Sequence, residues 1–180
     1  HAIDNLRIAA GEMEGHFYGQ VFQDSDVYKW LEAVGNILML ERDEELEKQA
    51  DSVIDLIAKA QEEDGYLDTY FSIEEPDKKW TNVLECHELY CAGHFIESAV
   101  AYYRATGKEK IIQVAYKLAD YLDTVFGPEE GKLHGYPGHQ EIEIALIKLY
   151  DLSGNEKYLK LAGYFINTRG TNRSEERRVG

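Results

Sequence analysis

Apolar side chains recur along this chain at the three-to-four-residue spacing of amphipathic helices. The clearest case is the segment 44–60, where one helical face carries Leu46, Ala50, Val53, Ile54 and Ile57. A second apolar-periodic segment, 27–40, precedes it, with a polar break at 41–43. No segment shows the sustained alternation of a half-buried strand. The pattern therefore predicts an all-α fold that begins with a helical hairpin.

The rest of the chain repeats this unit. At an offset of 47 residues, two later segments superimpose, and the matched pairs are Tyr103 and Tyr150, Thr106 and Ser153, Gly107 and Gly154, Lys110 and Lys157, and Ala115 and Ala162. Each copy closes a first helix with aromatic residues, breaks at the glycine and continues as a second amphipathic helix, at 111–125 or 158–166. The chain thus contains about three helical hairpins, which fit a toroid of alternating inner and outer helices.

The connections between hairpins are longer than those within them, and they are rich in aromatic residues, glycine and proline. They cover 61–82 and 127–138, a length that is unusual unless a loop has a function. A polar cluster opens each inner helix, and the three clusters are Asp24-Ser25-Asp26, Glu85-Cys86-His87-Glu88 and His139-Gln140-Glu141. Because the inner helices of a toroid start at the same rim, we expect these clusters to line one mouth.

The polar residues of this mouth have both a binding and a structural interpretation. Asp24 is typical of an N-cap, whereas Asp26 could accept hydrogen bonds from two sugar hydroxyls. The segment 135–141 presents His139 beside the Gln140 amide, although helix caps use the same residue types. Trp80 could stack on a sugar face or plug the base of its loop.

Three residues near the start of the helix that follows residue 85 have a spacing that could bind a metal ion. His87, Cys91 and His94 share one helical face, but His94 leads into an apolar stretch, so we predict no metal site there. His87, at the helix start, is the better candidate for a ligand contact. Cys86 and Cys91 point to different faces and should remain free thiols, which favours a reducing, cytoplasmic compartment.

Charge and hydropathy narrow the classes of partner. The chain has 34 acidic and 19 basic residues, and its net charge of −15 argues against nucleic acid. No apolar run approaches the roughly 18 residues that span a bilayer, so we expect no membrane partner. The oligomeric state stays open.

Both ends of the chain suggest a piece of a longer protein. Residues 1–4 show neither an initiator methionine nor a signal-peptide pattern, and residues 173–180 are highly charged without apolar periodicity. This last segment resembles an in-frame translation of a sequencing-adapter oligonucleotide. We therefore expect a native domain at 1–170 and a non-native tail at 171–180, with a solvated charged terminus as the alternative.

Four motifs together resemble the β-L-arabinofuranosidase family, glycoside hydrolase family 127 (GH127). They are HAIDNLRIAAG at 1–11, DSDVYKWLEA at 24–33, ECHELYCAGH at 85–94 and GYPGHQEIE at 135–143. The resemblance implies that 1–170 is part of an (α/α)6 catalytic toroid. It also implies a retaining hydrolase that releases β-L-arabinofuranose from plant-derived glycans, with His87 and His139 contacting the sugar.

The resemblance places the catalytic machinery outside this chain. The family binds zinc through one glutamate and three cysteines, one of which is the nucleophile, and neither Cys86 nor Cys91 matches them. We expect no catalytic residue and no bound zinc in this chain. Half of a twelve-helix ring should also expose apolar faces before Gly11 and after Asn155.

Two other functions fit parts of the pattern. A helical-repeat interaction module would spread its contact residues along the inner helices, whereas here they gather at helix starts and long loops. A related toroid enzyme could act on another sugar, for example as a lyase or an epimerase.

Overall fold

A computed structural model describes the backbone of residues 1–176 and the side chains of residues 1–169. The α-helices are α1 (Ala2–Ala9), α2 (Asp24–Leu40), α3 (Glu44–Ala60), α4 (Thr69–Ile73), α5 (Glu88–Thr106), α6 (Glu109–Val125), α7 (Ile142–Ser153) and α8 (Glu156–Glu176). A 3₁₀ turn at Pro76–Lys78 follows α4. In this described part, no helix is long and apolar enough to span a membrane. Of the tail expected at 171–180, residues 177–180 lie outside the described residues.

The three hairpins pack as two rows of helices. α2 lies along α5, and α5 lies along α7, which makes an inner row; α3 contacts α6, and α6 contacts α8, which makes an outer row. Each inner helix turns back into its outer partner after a short break, and α1 packs against α2, α3 and α4. The predicted all-α fold with alternating inner and outer helices is confirmed as an arc of a toroid.

The breaks within the hairpins follow from local sequence. Asp43 caps α3, because its carboxylate accepts two backbone N–H groups of the first turn. α5 and α7 end at Gly107 and Gly154, with φ angles of +71° and +68° that favour glycine. The hydroxyls of Thr106 and Ser153 each donate to the carbonyl four residues back and accept from the N–H two residues ahead. The repeat at an offset of 47 therefore extends to individual hydrogen bonds.

The connection between α3 and α5 is more structured than expected. It contains α4, which is anchored by Asp24, the first residue of α2 and fully buried. The Asp24 carboxylate accepts the backbone N–H and the hydroxyl of Thr69, at 2.7 Å and 2.6 Å. Asp24 therefore links α2 to α4 through these two hydrogen bonds. This role replaces the one expected for it, that of an N-cap. Burial raises the pKa of Asp24 to about 6, and the two Thr69 hydrogen bonds oppose the rise.

The two ends of the arc differ in how far they bury their apolar faces. Leu6 of α1 is fully buried, so the exposure expected before Gly11 is wrong for this side chain. At the other end, Leu159 and Ile166 of α8 are 40% and 56% exposed, as expected after Asn155. Apolar side chains are also exposed elsewhere in the described residues, and Leu40 at the end of α2 is 90% exposed.

Candidate functional site

Two histidines from different connections meet at one end of the inner row. His87 precedes α5 and His139 precedes α7, yet their Nε2 atoms lie 3.0 Å apart. Phe22, just before α2, packs against His87 with 5.1 Å between ring centroids. The predicted clusters before α5 and α7 thus meet at one mouth, whereas the start of α2 contributes Phe22 and not the acids of its predicted cluster.

The surroundings of this pair favour one arrangement of the ring protons. Nδ1 of His87 is buried and has no hydrogen-bond partner among residues 1–169, and a buried N–H without an acceptor would be costly. For a pair of neutral rings, this favours the tautomer in which His87 carries its proton on Nε2 and donates it to Nε2 of His139. His139, which is exposed, then carries its own proton on Nδ1 and can donate it to a ligand.

Tyr90 forms one wall of this mouth. Its ring centroid lies 5.7 Å from that of His87, 5.4 Å from that of His139 and 4.5 Å from that of His94. Lys29 of α2 donates to the Tyr90 hydroxyl at 2.8 Å. The mouth therefore combines aromatic surface, imidazole hydrogen-bonding groups and one ammonium, a mixture that suits a small polyhydroxylated ligand.

Close packing of α7 on α5 fixes the connection that carries the second histidine. A Cβ atom on Gly93 would lie 2.6 Å from Cγ of Glu141, so only glycine permits this approach. Arg169 of α8 donates to the carbonyl of Pro137 at 2.7 Å and pairs with the buried Glu143 at 3.2 Å. The segment 137–143 is thus held from both sides.

A network of ionisable groups lies directly behind this segment. Burial raises the pKa of Glu141 to about 8, and its hydrogen bond to Glu97 adds to the rise. Burial would also raise the pKa of Glu97, but hydrogen bonds from Glu141 and Lys148 outweigh it and lower that pKa. Burial lowers the pKa of His94 to about 4. At neutral pH, protonated Glu141 therefore donates to ionised Glu97, which also pairs with Lys148, beside a neutral His94.

Trp80 plugs the base of the connection between α3 and α5 and does not join the histidines. Its side chain is 9% exposed, and its indole N–H donates to the Tyr121 hydroxyl at 3.0 Å. The ring packs edge-on against Tyr66 and Phe126, at centroid distances of 5.4 Å and 5.2 Å. These contacts correct the expectation of sugar stacking and agree with the structural alternative for Trp80.

The two other candidate residues lie in different places. Asp26 accepts a hydrogen bond from Gln23 at 2.6 Å and lines a cavity with Ile3 and Gln49, on the side of α2 that faces α1 and α3. It is therefore not brought to the histidines, which lie where α2 faces α5. Gln140 is exposed next to His139, and no hydrogen bond engages its amide within residues 1–169, so it remains a candidate ligand contact.

The cysteines do not fit the zinc site that the resemblance implies. That set needs three cysteines and a glutamate, and the chain has two cysteines, Cys86 and Cys91. Cys91 is fully buried, and burial, with the charges of Asp68 and Asp24, raises its pKa well above the ordinary value. Its thiol is therefore protonated at neutral pH, unlike a metal-binding or nucleophilic thiolate.

A different group has the spacing of metal ligands. Among residues 1–169, Glu32, His94 and Glu97 offer donor atoms that lie within 4.8 Å of one another. The Lys148 ammonium already pairs with Glu97 there and supplies the positive charge. This group contains no cysteine and does not match the implied zinc ligands either.

Several residues around the mouth were missed in the sequence. Tyr90 follows His87 by three positions, so helical periodicity alone could have placed it on the same face. Lys29 and Arg169 act across long sequence separations, at 61 and 32 residues from their partners. Nothing in the local pattern marks those contacts.

The described helices thus form an arc of an α/α toroid, in which histidine, tyrosine and amide groups lie together at the starts of inner helices. A family model described as "Beta-L-arabinofuranosidase, GH127 catalytic domain" matches residues 1–178. The chain therefore belongs to the GH127 β-L-arabinofuranosidase family.

Individual relatives agree with this membership. A non-reducing end β-L-arabinofuranosidase from Bifidobacterium longum subsp. longum is 51% identical over 174 residues, which cover 94% of this chain and 26% of the relative. A solved GH127 β-L-arabinofuranosidase from Geobacillus stearothermophilus T6 is 60% identical, with a TM-score of 0.94 over 99% of this chain and 29% of its own. A solved GH127 β-arabinofuranosidase is 38% identical, with a TM-score of 0.88 over 94% of this chain and 28% of its own. The chain thus spans between a quarter and a third of the length of these relatives.

Proposed function

We propose that this chain forms the sugar-recognising side of the active site in a retaining glycoside hydrolase that releases β-L-arabinofuranose from plant-derived oligosaccharides or glycans. The observation that carries the proposal is the meeting of His87 and His139, whose Nε2 atoms lie 3.0 Å apart at the shared mouth of the inner helices. Family membership supports the chemistry, because the relatives are named as β-L-arabinofuranosidases.

The two imidazoles would bind neighbouring hydroxyls of one furanose ring. His139 can donate from Nδ1, and a sugar hydroxyl can replace His139 as the acceptor for the Nε2 proton of His87. The exposed Gln140 amide offers a further donor and acceptor at the same edge. The Tyr90 ring closes one side of the site and excludes water from these hydrogen bonds.

The chain does not supply the bond-breaking groups in this proposal. Zinc, when bound in the complete family enzyme, would lower the pKa of a nucleophilic cysteine. Cys86 and Cys91 do not fit that role, so the nucleophile and the zinc ligands belong to other parts of the enzyme. The 180-residue chain alone should accordingly show no turnover of an aryl β-L-arabinofuranoside, and measurable turnover would overturn the assignment.

A hybrid enzyme tests the recognition role. Residues 1–169 replace the corresponding segment of the Geobacillus enzyme, which is 60% identical to this chain. His87→Ala and His139→Ala should each lower kcat/KM by about 10–100-fold, because each change removes a hydrogen bond to the sugar. His134→Ala is the matched control, since this exposed histidine contacts the carbonyl of Glu129 away from the mouth. Equal kcat/KM in all three variants would refute the proposed site.

A further inference from the structure

We infer that Glu88 is a positioning residue that holds His87 in its sugar-binding conformation. The inference rests on the proposed function and deepens it, because it names the group that orients one of the two recognition histidines. Glu88 is 1% exposed, so it does not touch the ligand itself.

The backbone around His87 is strained and needs a local anchor. Among the residues that the structure describes, the non-glycine residues with positive φ are Trp80, at +61°, and His87, at +62°. Residues with a Cβ atom rarely adopt this conformation, and it persists only where surrounding contacts impose it. Both strained positions belong to the same short stretch of chain that leads into α5.

The Glu88 carboxylate links these strained positions. Its two oxygens accept the backbone N–H of Trp80 at 3.0 Å and 3.1 Å, and one of them accepts the Tyr66 hydroxyl at 2.7 Å. Glu88 is the first residue of α5 and directly follows His87. The carboxylate therefore fixes where the stretch 80–87 leaves the buried base of the connection and where it enters the helix.

The partners of Glu88 are themselves immobilised. The Trp80 indole N–H donates to Tyr121 of α6, and the Tyr66 ring packs edge-on against both Trp80 and Tyr121. Lys79 lies over the Tyr66 ring and pairs with Glu62. Glu88 thus connects the His87 backbone to a rigid aromatic base, and a change in its reach should move His87 relative to His139.

Substitutions in the hybrid enzyme can separate the effect of the length of the Glu88 side chain from the effect of its charge. Glu88→Gln keeps the length of the side chain: its carbonyl accepts the Trp80 N–H, and its amide donates to the Tyr66 oxygen. Glu88→Asp keeps the charge but cannot reach Trp80. If Glu88 acts by position, Glu88→Asp should raise KM about tenfold, and Glu88→Gln should stay within about threefold of the parent enzyme. If Glu88 acted only through its charge, Glu88→Gln would raise KM more than Glu88→Asp.

Matched changes at Glu85 provide the control. Glu85 lies in the same connection and bonds only the neighbouring Asn82 among the described residues, so Glu85→Gln and Glu85→Asp should leave KM unchanged. The inference is overturned if Glu88→Gln is as impaired as Glu88→Asp, or if both match the Glu85 variants. His87→Ala separates the two claims. If it raises KM while Glu88→Asp does not, only the positioning role fails; if it leaves KM unchanged, the proposed function fails as well.

Discussion

At the residue scale, Glu141 and Glu97 behave as an acid pair that shares one proton beside the second histidine. Because the pKa of Glu141 is raised to about 8, it is a hydrogen-bond donor at neutral pH, and a glutamine amide can take its place. Glu141→Gln should therefore change the free energy of unfolding by less than about 0.5 kcal/mol near pH 4, where this carboxyl is largely protonated in both the folded and the unfolded chain. As the pH rises from about 4.5 to 8, the variant should become the more stable protein, because only the parent's unfolded chain gains by ionising this carboxyl, and above pH 8 the difference should level off.

The partner position should respond differently. Glu97→Gln leaves the Lys148 ammonium without its carboxylate and weakens the acceptor for Glu141. We expect a loss of about 1–2 kcal/mol at pH 7, with Lys148 partly screened by solvent. Chemical denaturation of the parent and both variants at pH 4, pH 7 and pH 9 measures these differences. Equal losses for the two variants at pH 7 would contradict the proton assignment.

Some single residues were predictable from the sequence, and others were not. His87 and His139 each precede an inner helix, so helical periodicity and the toroid topology together brought them to one mouth. Trp80 lies in a long loop and Asp26 lies near a helix start, but sequence does not show which way a long loop folds or which side of a helix start faces the mouth. Trp80 folded inward onto Tyr121, and Asp26 turned toward α3.

At the element scale, the crossing of α5 and α7 controls the distance between the two histidines. Gly93→Ala would place a methyl group 2.6 Å from the Glu141 side chain and 3.0 Å from its backbone carbon, so the start of α7 must shift. We expect a loss of about 1–3 kcal/mol in stability and a higher KM in the hybrid enzyme. Gly163→Ala is the control, because nothing lies within 4 Å of the added atom in α8. That change should be neutral or slightly stabilising. Thermal melts and KM values that match for the two variants would refute this role for Gly93.

The helices themselves were the most predictable elements. Apolar spacing located α3 at 44–60, as observed, and the repeated glycine break located the ends of α5 and α7. α4 was missed because its five residues are too short to show a helical period. It is held instead by Asp24, a partner 45 positions away.

At the scale of the whole molecule, buried acids make stability depend on pH. The pKa values of Asp24, Glu88 and Glu141 are raised to about 6, 7 and 8, by burial first in each case. An acid with a raised folded-state pKa stabilises the fold at low pH, and this contribution is lost as the pH rises from its unfolded pKa through its folded pKa. The lowered pKa of His94, about 4, acts in the opposite direction, but only between pH 4 and 6.5.

Above pH 6.5, ionisation of the buried acids still lowers the stability as the pH rises, whereas His94 no longer contributes to the change. Repulsion within a chain of net charge −15 also lowers the stability. The melting temperature of the chain should therefore fall between pH 6.5 and pH 8.5 at constant ionic strength. Thermal unfolding followed by circular dichroism measures this trend. A flat or rising melting temperature over that interval would mean that the buried carboxyl groups are not protonated in the folded chain.

The central claim is that His87 and His139 recognise a single furanose ring. A crystal structure of the hybrid enzyme with L-arabinose bound tests it most directly. We predict hydroxyl oxygens of one furanose ring within hydrogen-bonding distance of Nε2 of His87 and of the His139 ring. A sugar that contacts neither imidazole, with the histidines still bonded to each other, would contradict the account.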